Sequence, residues 1–156
     1  MTIYLVQHGL SASKDADPER GLTEEGIEQT ARMAQLAGNY GIGVSRIVHS
    51  GKNRAMQTAD IFYRYLDRSI AVGAMEGIAP LDDVRTFAAD LENKTGWMVI
   101  GHLPFLQRLV SYLITGSSEV KVYQFQNSGI VCVEFEKSED DSLKWFIKWT
   151  LNPNIS

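Results

Sequence analysis

Four side chains of this sequence have the types needed for chemistry on a phosphoryl group: His8, Arg20, Arg54 and His102. An imidazole acts as a nucleophile, and it also takes up or releases a proton near neutral pH. Guanidinium groups match the oxygens of phosphate in a forked geometry with two hydrogen bonds. If the fold brings the four residues together, they form an anion site that carries its own nucleophile.

Both histidines follow short apolar segments that are typical of buried strands. His8 comes after Ile3 to Val6, and Gly9 then allows the backbone to turn sharply. His102 comes after the apolar run 97–100 and opens a predicted helix. A histidine at a strand end is held by the strand and exposed by the loop, although an ordinary loop begins in the same way.

The order of the predicted elements indicates an α/β fold. We expect strands at 3–6, 46–49, 70–72, 97–100, 130–135 and 143–149, and helices that follow Thr23, cover about 53–66 and 81–91, and follow Pro104. Alternating strands and helices predict a three-layer sandwich with helices on both faces of a mostly parallel sheet. The last two strands predict a hairpin that forms an antiparallel edge. The length favours a single domain over residues 1–156.

Ligands of open α/β sheets bind beyond the carboxyl ends of the strands. By this rule, Ser50 and Arg54 after the second strand lie beside His8. Glu76 follows the third strand, and His102 lies at a helix start whose N–H groups favour anions. Each residue also has an ordinary interpretation, such as a surface arginine or a helix cap, and a solvated loop carboxylate is the ordinary interpretation of Glu76.

Composition excludes several classes of function. The net charge is −4, without a basic tract, which argues against nucleic-acid and membrane binding. Cys132 is the one cysteine and lies in an apolar alternating run, so we expect a buried thiol and no internal disulfide. No Asp or Cys pair stands near the histidines at metal-ligand spacing, so we expect no metal and no cofactor. The N-terminus does not look like a signal peptide, and a cytoplasmic location is the default expectation.

The segments that carry the candidate residues resemble the motifs of the histidine phosphatase superfamily, which has the phosphoglycerate mutase-like fold. Residues 7–9 (Gln-His-Gly) are similar to its Arg-His-Gly signature, and residues 20–26 resemble its Arg-x-Leu-Thr-x-x-Gly run. Residues 50–59 (Ser-Gly-Lys-Asn-Arg-Ala-Met-Gln-Thr-Ala) resemble its Ser-Pro-x-x-Arg-Ala-x-Gln-Thr-Ala segment. Residues 99–104 resemble the segment around its second histidine. The short chain resembles the SixA-type phosphohistidine phosphatase branch.

The resemblance implies a role for each residue. His8 would be the nucleophile that forms a phosphohistidine intermediate, with its tautomer fixed by the backbone carbonyl of Gly9. Arg54 and His102 would clamp the phosphoryl oxygens and stabilise the charge of an in-line transition state. Arg20 would add a second guanidinium. No metal would then be needed, because these side chains supply the positive charge.

The sequence departs from the first motif at Gln7, where the family has arginine. Glutamine keeps hydrogen-bond donors near the phosphate but loses the charge, and loss of one preorganised donor costs about 10²–10³ in rate. Lys14 and Lys52 are the candidates to replace some of that charge. We expect Ser50 to bind the phosphate group as well. Glu76 stands where the wider family often has its general acid, which a phosphohistidine substrate needs less because a protonated imidazole leaves readily.

Three functions follow as hypotheses. The first is hydrolysis of phosphohistidine on a signalling protein, such as a histidine phosphotransfer domain. The second is hydrolysis of a small phosphoester by the same residues. The third is a phosphate-binding module that has lost turnover together with the first-motif arginine. Retention of His8, Arg20, Arg54 and His102 favours an active enzyme.

Overall fold

A computed structural model describes residues 1–155 of the chain. The strands in this range are Thr2–Gln7 (β1), Arg46–His49 (β2), Ala71–Ala74 (β3), Trp97–Gly101 (β4), Ile130–Lys137 (β5) and Leu143–Leu151 (β6). The α-helices in this range are Glu24–Asn39 (α1), Asn53–Tyr65 (α2), Val84–Ala88 (α3) and Phe105–Thr115 (α4), and Leu91–Lys94 forms a 3₁₀ helix. Each of the described helices is too short or too polar to span a lipid bilayer.

All six strands belong to one sheet with the order β3-β2-β4-β1-β5-β6. The first four strands in this order are parallel to one another. Strand β5 is antiparallel to β1, and β6 is antiparallel to β5 through the hairpin. The predicted α/β architecture with an antiparallel edge is therefore confirmed.

Helices cover both faces of the sheet because the central strands are apolar on both sides. On one face, Leu5 and Val99 belong to a buried cluster that includes residues of α3 and α4. On the other face, Val6 and Ile100 belong to a second cluster with residues of α1 and α2. Burying a side chain of this size contributes about 1.5–3 kcal/mol, so both helical layers are held firmly. This arrangement is the predicted three-layer sandwich.

The helix predicted over residues 81–91 is wrong in its extent. The Asp82 carboxylate accepts a hydrogen bond from Ala79 N at 2.8 Å, and that of Asp83 accepts one from Arg85 N at 2.9 Å. These bonds hold the segment as a loop up to Asp83, so α3 has only five residues. Asp90 then leaves the helical conformation, with φ −120° and ψ 17°, before the 3₁₀ helix begins. Local aspartate bonding outweighs the apolar periodicity.

Strand β3 lies slightly later than predicted, at Ala71–Ala74 instead of residues 70–72. Its ladder with β2 pairs Arg46 with Ala71 and His49 with Ala74. Pairing with a neighbour determines the bounds of this edge strand, since its own side chains are mostly exposed. Hydrophobicity alone therefore predicted its position poorly.

Helix α1 holds the loop that follows β1. The Thr23 side chain caps this helix, as predicted, by accepting a hydrogen bond from Gly26 N at 3.0 Å. Thr23 N donates to Leu10 O at 2.9 Å. A Cβ atom on Gly26 would lie 2.1 Å from Leu10 O, so only glycine lets the helix and the loop approach this closely.

We expect Gly26→Ala to destabilise the fold by about 1–3 kcal/mol, the usual cost of overpacking. Alanine is favoured over glycine within a helix by about 1 kcal/mol, so a net loss would isolate the clash with Leu10 O. Urea unfolding measures the change. The matched control is Gly43→Ala, because a Cβ atom there meets nothing within 4 Å. Equal midpoints for the two variants would contradict the prediction.

Candidate active site

The carboxyl ends of β1, β2 and β4 bring three predicted site residues together. Strand β4 lies between β1 and β2. His8 N donates to Gly101 O at 3.0 Å, just beyond the last residue pair of the β1–β4 ladder. The ring centroids of His8 and His102 are 5.0 Å apart. Ser50 Oγ lies 2.5 Å from His102 Nε2. The two imidazoles therefore share one site, and the Ser50 hydroxyl contacts the ring of His102.

The His8 ring is oriented by its neighbour. Its Nδ1 lies 2.7 Å from Gly9 O, which is the contact that the resemblance implies. A carbonyl oxygen only accepts hydrogen bonds, so Nδ1 carries the proton and Nε2 keeps its lone pair. This is the tautomer that a nucleophilic imidazole requires.

Two residues that the sequence reasoning did not single out hold the backbone around His8. Gly9 N donates to Thr58 Oγ1 at 2.9 Å, and Thr58 Oγ1 donates to Arg54 O at 2.7 Å. Asn127 Nδ2 donates to His8 O at 2.9 Å. Thr58 lies in the segment that resembles the family motif, which was a usable signal. Asn127 lies in an irregular loop before β5, where no local pattern marks it.

The loop before β5 is also tied to β1 and α1. Ser128 N donates to Gln7 O at 2.9 Å, and Ser128 Oγ is 2.7 Å from Thr30 Oγ1. Thr30 and Ser128 are fully buried, and Ser128 has a positive φ of 66°. A left-handed backbone at a residue other than glycine is costly and persists only where its surroundings hold it in place. This junction therefore fixes the end of β1 to α1 and to the loop before β5.

Arg20 and Arg54 supply the positive charge of the site. Within residues 1–155, neither guanidinium has a carboxylate at ion-pair distance, and the Nε atom of each is buried without a hydrogen-bond partner. Arg20 holds a left-handed conformation with φ 49°. Burial, and then the nearby charge of Arg20, lowers the pKa of Arg54. Two cations held together without a counter-ion form a strong anion site.

The electrostatics keep both imidazoles neutral. Burial, together with the charges of Arg54 and Arg20, lowers the pKa of His8 to about 4, although the Gly9 carbonyl acts in the opposite direction. Burial is also the main reason that the pKa of His102 falls to about 3, and the charges of His8, Arg54, Lys52 and Arg20 add to it. At neutral pH, His8 is therefore a neutral base whose Nε2 keeps its lone pair. Lys52, unlike Lys14, is among the cations that act on His102.

Unpartnered polar atoms are concentrated at this site. Five buried side-chain nitrogen or oxygen atoms in the described part of the chain lack a partner, and four belong to site residues: Gln7 Oε1, Arg20 Nε, Arg54 Nε and His102 Nδ1. Leaving such an atom unpaired costs about 1–3 kcal/mol, and native proteins keep few of them. These atoms are concentrated among the predicted site residues, where each remains able to bond to a polar ligand.

Three further residues that the sequence singled out lie outside this group of site residues. Glu76 is exposed and makes no hydrogen bond or ion pair with other described residues, so its role as a general acid stays a prediction. His49 is buried, and its Nδ1 accepts a hydrogen bond from Gly51 N at 3.1 Å, which indicates a structural role. Cys132 is a buried free thiol. Among residues 1–155, no group of three or more His, Cys, Asp or Glu residues is arranged to hold a metal ion.

Solved structures share this fold across nearly the whole chain. The protein histidine phosphatase SixA, complexed with tungstate, is 25% identical with a TM-score of 0.83, over 98% of this chain and 97% of that one. An Agrobacterium tumefaciens protein considered a SixA phosphohistidine phosphatase is 20% identical with a TM-score of 0.75, over 97% of both chains. A mycobacterial glucosyl-3-phosphoglycerate phosphatase in complex with VO3 is 12% identical with a TM-score of 0.71, over 95% of this chain and 97% of that one.

None of the curated proteins matches the sequence. A family model does match it: the histidine phosphatase superfamily (branch 1), over residues 3–82, which are 80 of the 156 residues. The matched region contains His8, Arg20 and Arg54, and the sheet brings His102 to them from outside it. By this match, and by the fold that it shares with solved phosphatases, the chain belongs to the histidine phosphatase superfamily (branch 1).

Proposed function

We propose that this chain is a phosphatase that hydrolyses phosphohistidine on a protein through a covalent intermediate on His8. One observation carries the proposal: the free Nε2 of a neutral His8 lies beside two guanidinium groups that have no counter-ion. A phosphoryl group supplies the missing negative charge and an electrophilic phosphorus for the imidazole to attack. The same arrangement has no evident use in a purely structural site.

The first step transfers the phosphoryl group to the enzyme. His8 Nε2 attacks phosphorus, a P–N bond forms, and the bond from phosphorus to the leaving nitrogen breaks. A substrate imidazole that is protonated on its other nitrogen leaves as neutral imidazole, so no further proton is needed. Water then attacks phosphorus, the bond to His8 Nε2 breaks, and phosphate is released with the oxygen of that water.

Side chains of the site stabilise the charge that develops on the transferred group. Arg54 and Arg20 donate hydrogen bonds to the equatorial oxygens, and these bonds cost no reorganisation because both side chains are already in place. His102 is 1% exposed and borders the same space. A bound anion opposes the effect of the two arginines on His102, so its proton affinity rises when the substrate arrives.

The placement of Glu76 favours phosphohistidine over a phosphoester. An ester oxygen leaves well only with a general acid, whereas an imidazole leaves without one. Glu76 is exposed and makes no hydrogen bond or ion pair with another described residue. The similarity to the protein histidine phosphatase SixA supports the same substrate class. Hydrolysis of a small phosphoester is the second candidate, and it would require Glu76 to reach the leaving oxygen.

A phosphorylated protein, such as a histidine phosphotransfer domain, is the partner that this proposal requires. The third hypothesis, a phosphate-binding module without turnover, rests on the neutral Gln7. It predicts anion binding by Arg20 and Arg54 without release of phosphate. The cytoplasmic location remains a prediction from the sequence.

We expect His8→Ala to lower phosphate release from a phosphohistidine-bearing domain by about 10³-fold or more, because the nucleophile is lost. The assay compares both proteins on that domain and on an aryl phosphate. Equal rates for the two proteins would contradict catalysis by His8. Release from the aryl phosphate alone would favour the phosphoesterase, and phosphate binding without release would favour the binding module. Circular dichroism of the variant checks that it folds.

We expect Gln7→Arg to raise kcat by up to about 10²-fold, because it restores a charged donor beside the phosphoryl group. The matched control is Gln35→Arg, which adds the same charge on an exposed position of α1. Steady-state kinetics with the phosphohistidine-bearing domain measure the effect. An unchanged or lower rate would show that other groups, such as Lys52, already supply the charge.

We expect the imidazole of His8 to titrate near pH 4 in the free protein, well below its ordinary value of 6.5. Proton NMR of the ring measures the midpoint, with His8→Asn assigning the resonance. Arg54→Gln removes one of the charges that lower this pKa, so the midpoint should rise in that variant. Folding stability should also fall as the pH drops from about 6.5 to 4, because the unfolded chain then binds the proton more tightly. A midpoint near 6.5 would contradict the neutral, buried nucleophile.

A further inference from the structure

A groove of about 440 Å³ opens beside the phosphoryl site, on the side of Gln7. Gln7 directly precedes His8 and lines the groove. Asn127 lines it too, and its Nδ2 donates to His8 O at 2.9 Å. The groove is therefore continuous with the backbone that carries the nucleophile. Any group that flanks a bound phosphoryl on this side must pass through it.

Carboxamides dominate the lining of the groove. Six of its ten lining residues carry one: Gln7, Gln29, Gln124, Gln126, Asn127 and Asn154. Glu25 is the one charged residue among those described as lining it. The neighbouring phosphoryl site, in contrast, has two guanidinium groups. The groove therefore suits a neutral ligand that is rich in hydrogen-bond donors and acceptors.

Several of these amides are already held in position. Gln126 Nε2 donates to Asn154 O at 3.1 Å, and Asn154 N donates to Gln126 Oε1 at 3.2 Å. Gln29 Nε2 donates to Glu25 Oε1 at 3.2 Å. A carboxamide offers two donors and two acceptor lone pairs, so Gln29, with its one bond to Glu25, keeps capacity for a ligand. Side chains that are already oriented lose less entropy when they bind.

Gln7 joins the groove to the phosphoryl site. Its Oε1 is buried without a partner, which is unusual for a native side chain. Arginine at this position would place a charge between the phosphoryl group and the neutral groove. Glutamine instead continues the carboxamide lining up to the nucleophile. The departure from the family motif therefore matches the character of the adjoining surface.

We propose that this groove binds the polypeptide that flanks the phosphorylated side chain of a protein substrate. The inference rests on the proposed function and adds the mode of recognition. Peptide groups present the same N–H and C=O groups as carboxamides, so each pairs with a side chain of the lining. Leu10 and Leu103, both partly buried, offer apolar contacts for substrate side chains.

Other ligands fit the lining less well. A sugar ring usually stacks on an aromatic face, but Phe125 is only 4% exposed. A second phosphate would require a cation in the lining, whereas the charged residue that lines the groove is Glu25, and the nearby ammonium of Lys121 is bonded to Gln124 Oε1. A neutral peptide meets neither obstacle.

The test compares two substrates with the same leaving group: free phosphohistidine and phosphohistidine within an eight-residue uncharged peptide. We expect the wild-type KM for the peptide to be at most about one tenth of the KM for free phosphohistidine, because only the peptide reaches the groove. The double variant Gln29→Ala, Gln124→Ala should raise the KM of the peptide about 10-fold, the effect of two hydrogen bonds of ordinary strength. The kinetics of free phosphohistidine should not change.

The matched control is Gln35→Ala, which removes an exposed carboxamide of α1 outside the groove. Urea midpoints verify that all variants fold. Equal KM values for the two substrates, or equal effects of the double variant on both, would overturn the inference while leaving the phosphatase intact. An effect of the double variant on a sugar phosphate but not on the peptide would assign the groove to sugars. Phosphate release from neither substrate would contradict the proposed function itself.

Discussion

The constraint that the fold must satisfy is an unbalanced electrostatic arrangement: two guanidinium groups and two imidazoles share a partly buried space, and no carboxylate of residues 1–155 pairs with either guanidinium. Arg20 and Arg54 repel each other, and burial of the two rings, aided by these charges, lowers both pKa values and keeps the imidazoles neutral. Such an arrangement persists only because the surrounding fold holds it. The stability of the two apolar clusters offsets the repulsion, and a bound anion removes it. Anion binding and relief of repulsion are thus one event.

The parallel strands are what make this arrangement possible. They end at a common edge, so residues that are far apart in the sequence meet there without a long loop. Hydrogen bonds from Thr58 and Asn127 then fix the backbone of residues 8 and 9 from two sides. His8 is positioned by hydrogen bonds to its own main chain and that of Gly9, and the contact of its ring with the Gly9 carbonyl completes its orientation. Mechanical support and chemistry are assigned to different residues.

The sequence was sufficient for the parts of the molecule that depend on local patterns. Apolar runs followed by His8 and His102, and the Thr23 cap, predicted the strands, the edge and the start of α1. The short α3 was missed because aspartate side chains bind the backbone ahead of it, which periodicity does not register. Asn127 was missed because its role depends on a contact across 119 positions of the chain. The aspartate bonds are local but do not change the apolar periodicity, whereas the Asn127 contact leaves no local pattern in the residue order.

The segment between α4 and β5 has two parts with different duties. Residues 127 and 128 anchor the end of β1, whereas residues 124–126 just before them line the neighbouring groove. No helix or strand lies between the end of α4 and residues 124–126. Changes in the length of this loop would therefore be absorbed locally. Under the proposed role of the groove, exchange of this short stretch would change which substrates the phosphatase accepts while His8 and the two arginines stayed in place. Selectivity and reactivity can therefore diversify separately in this architecture.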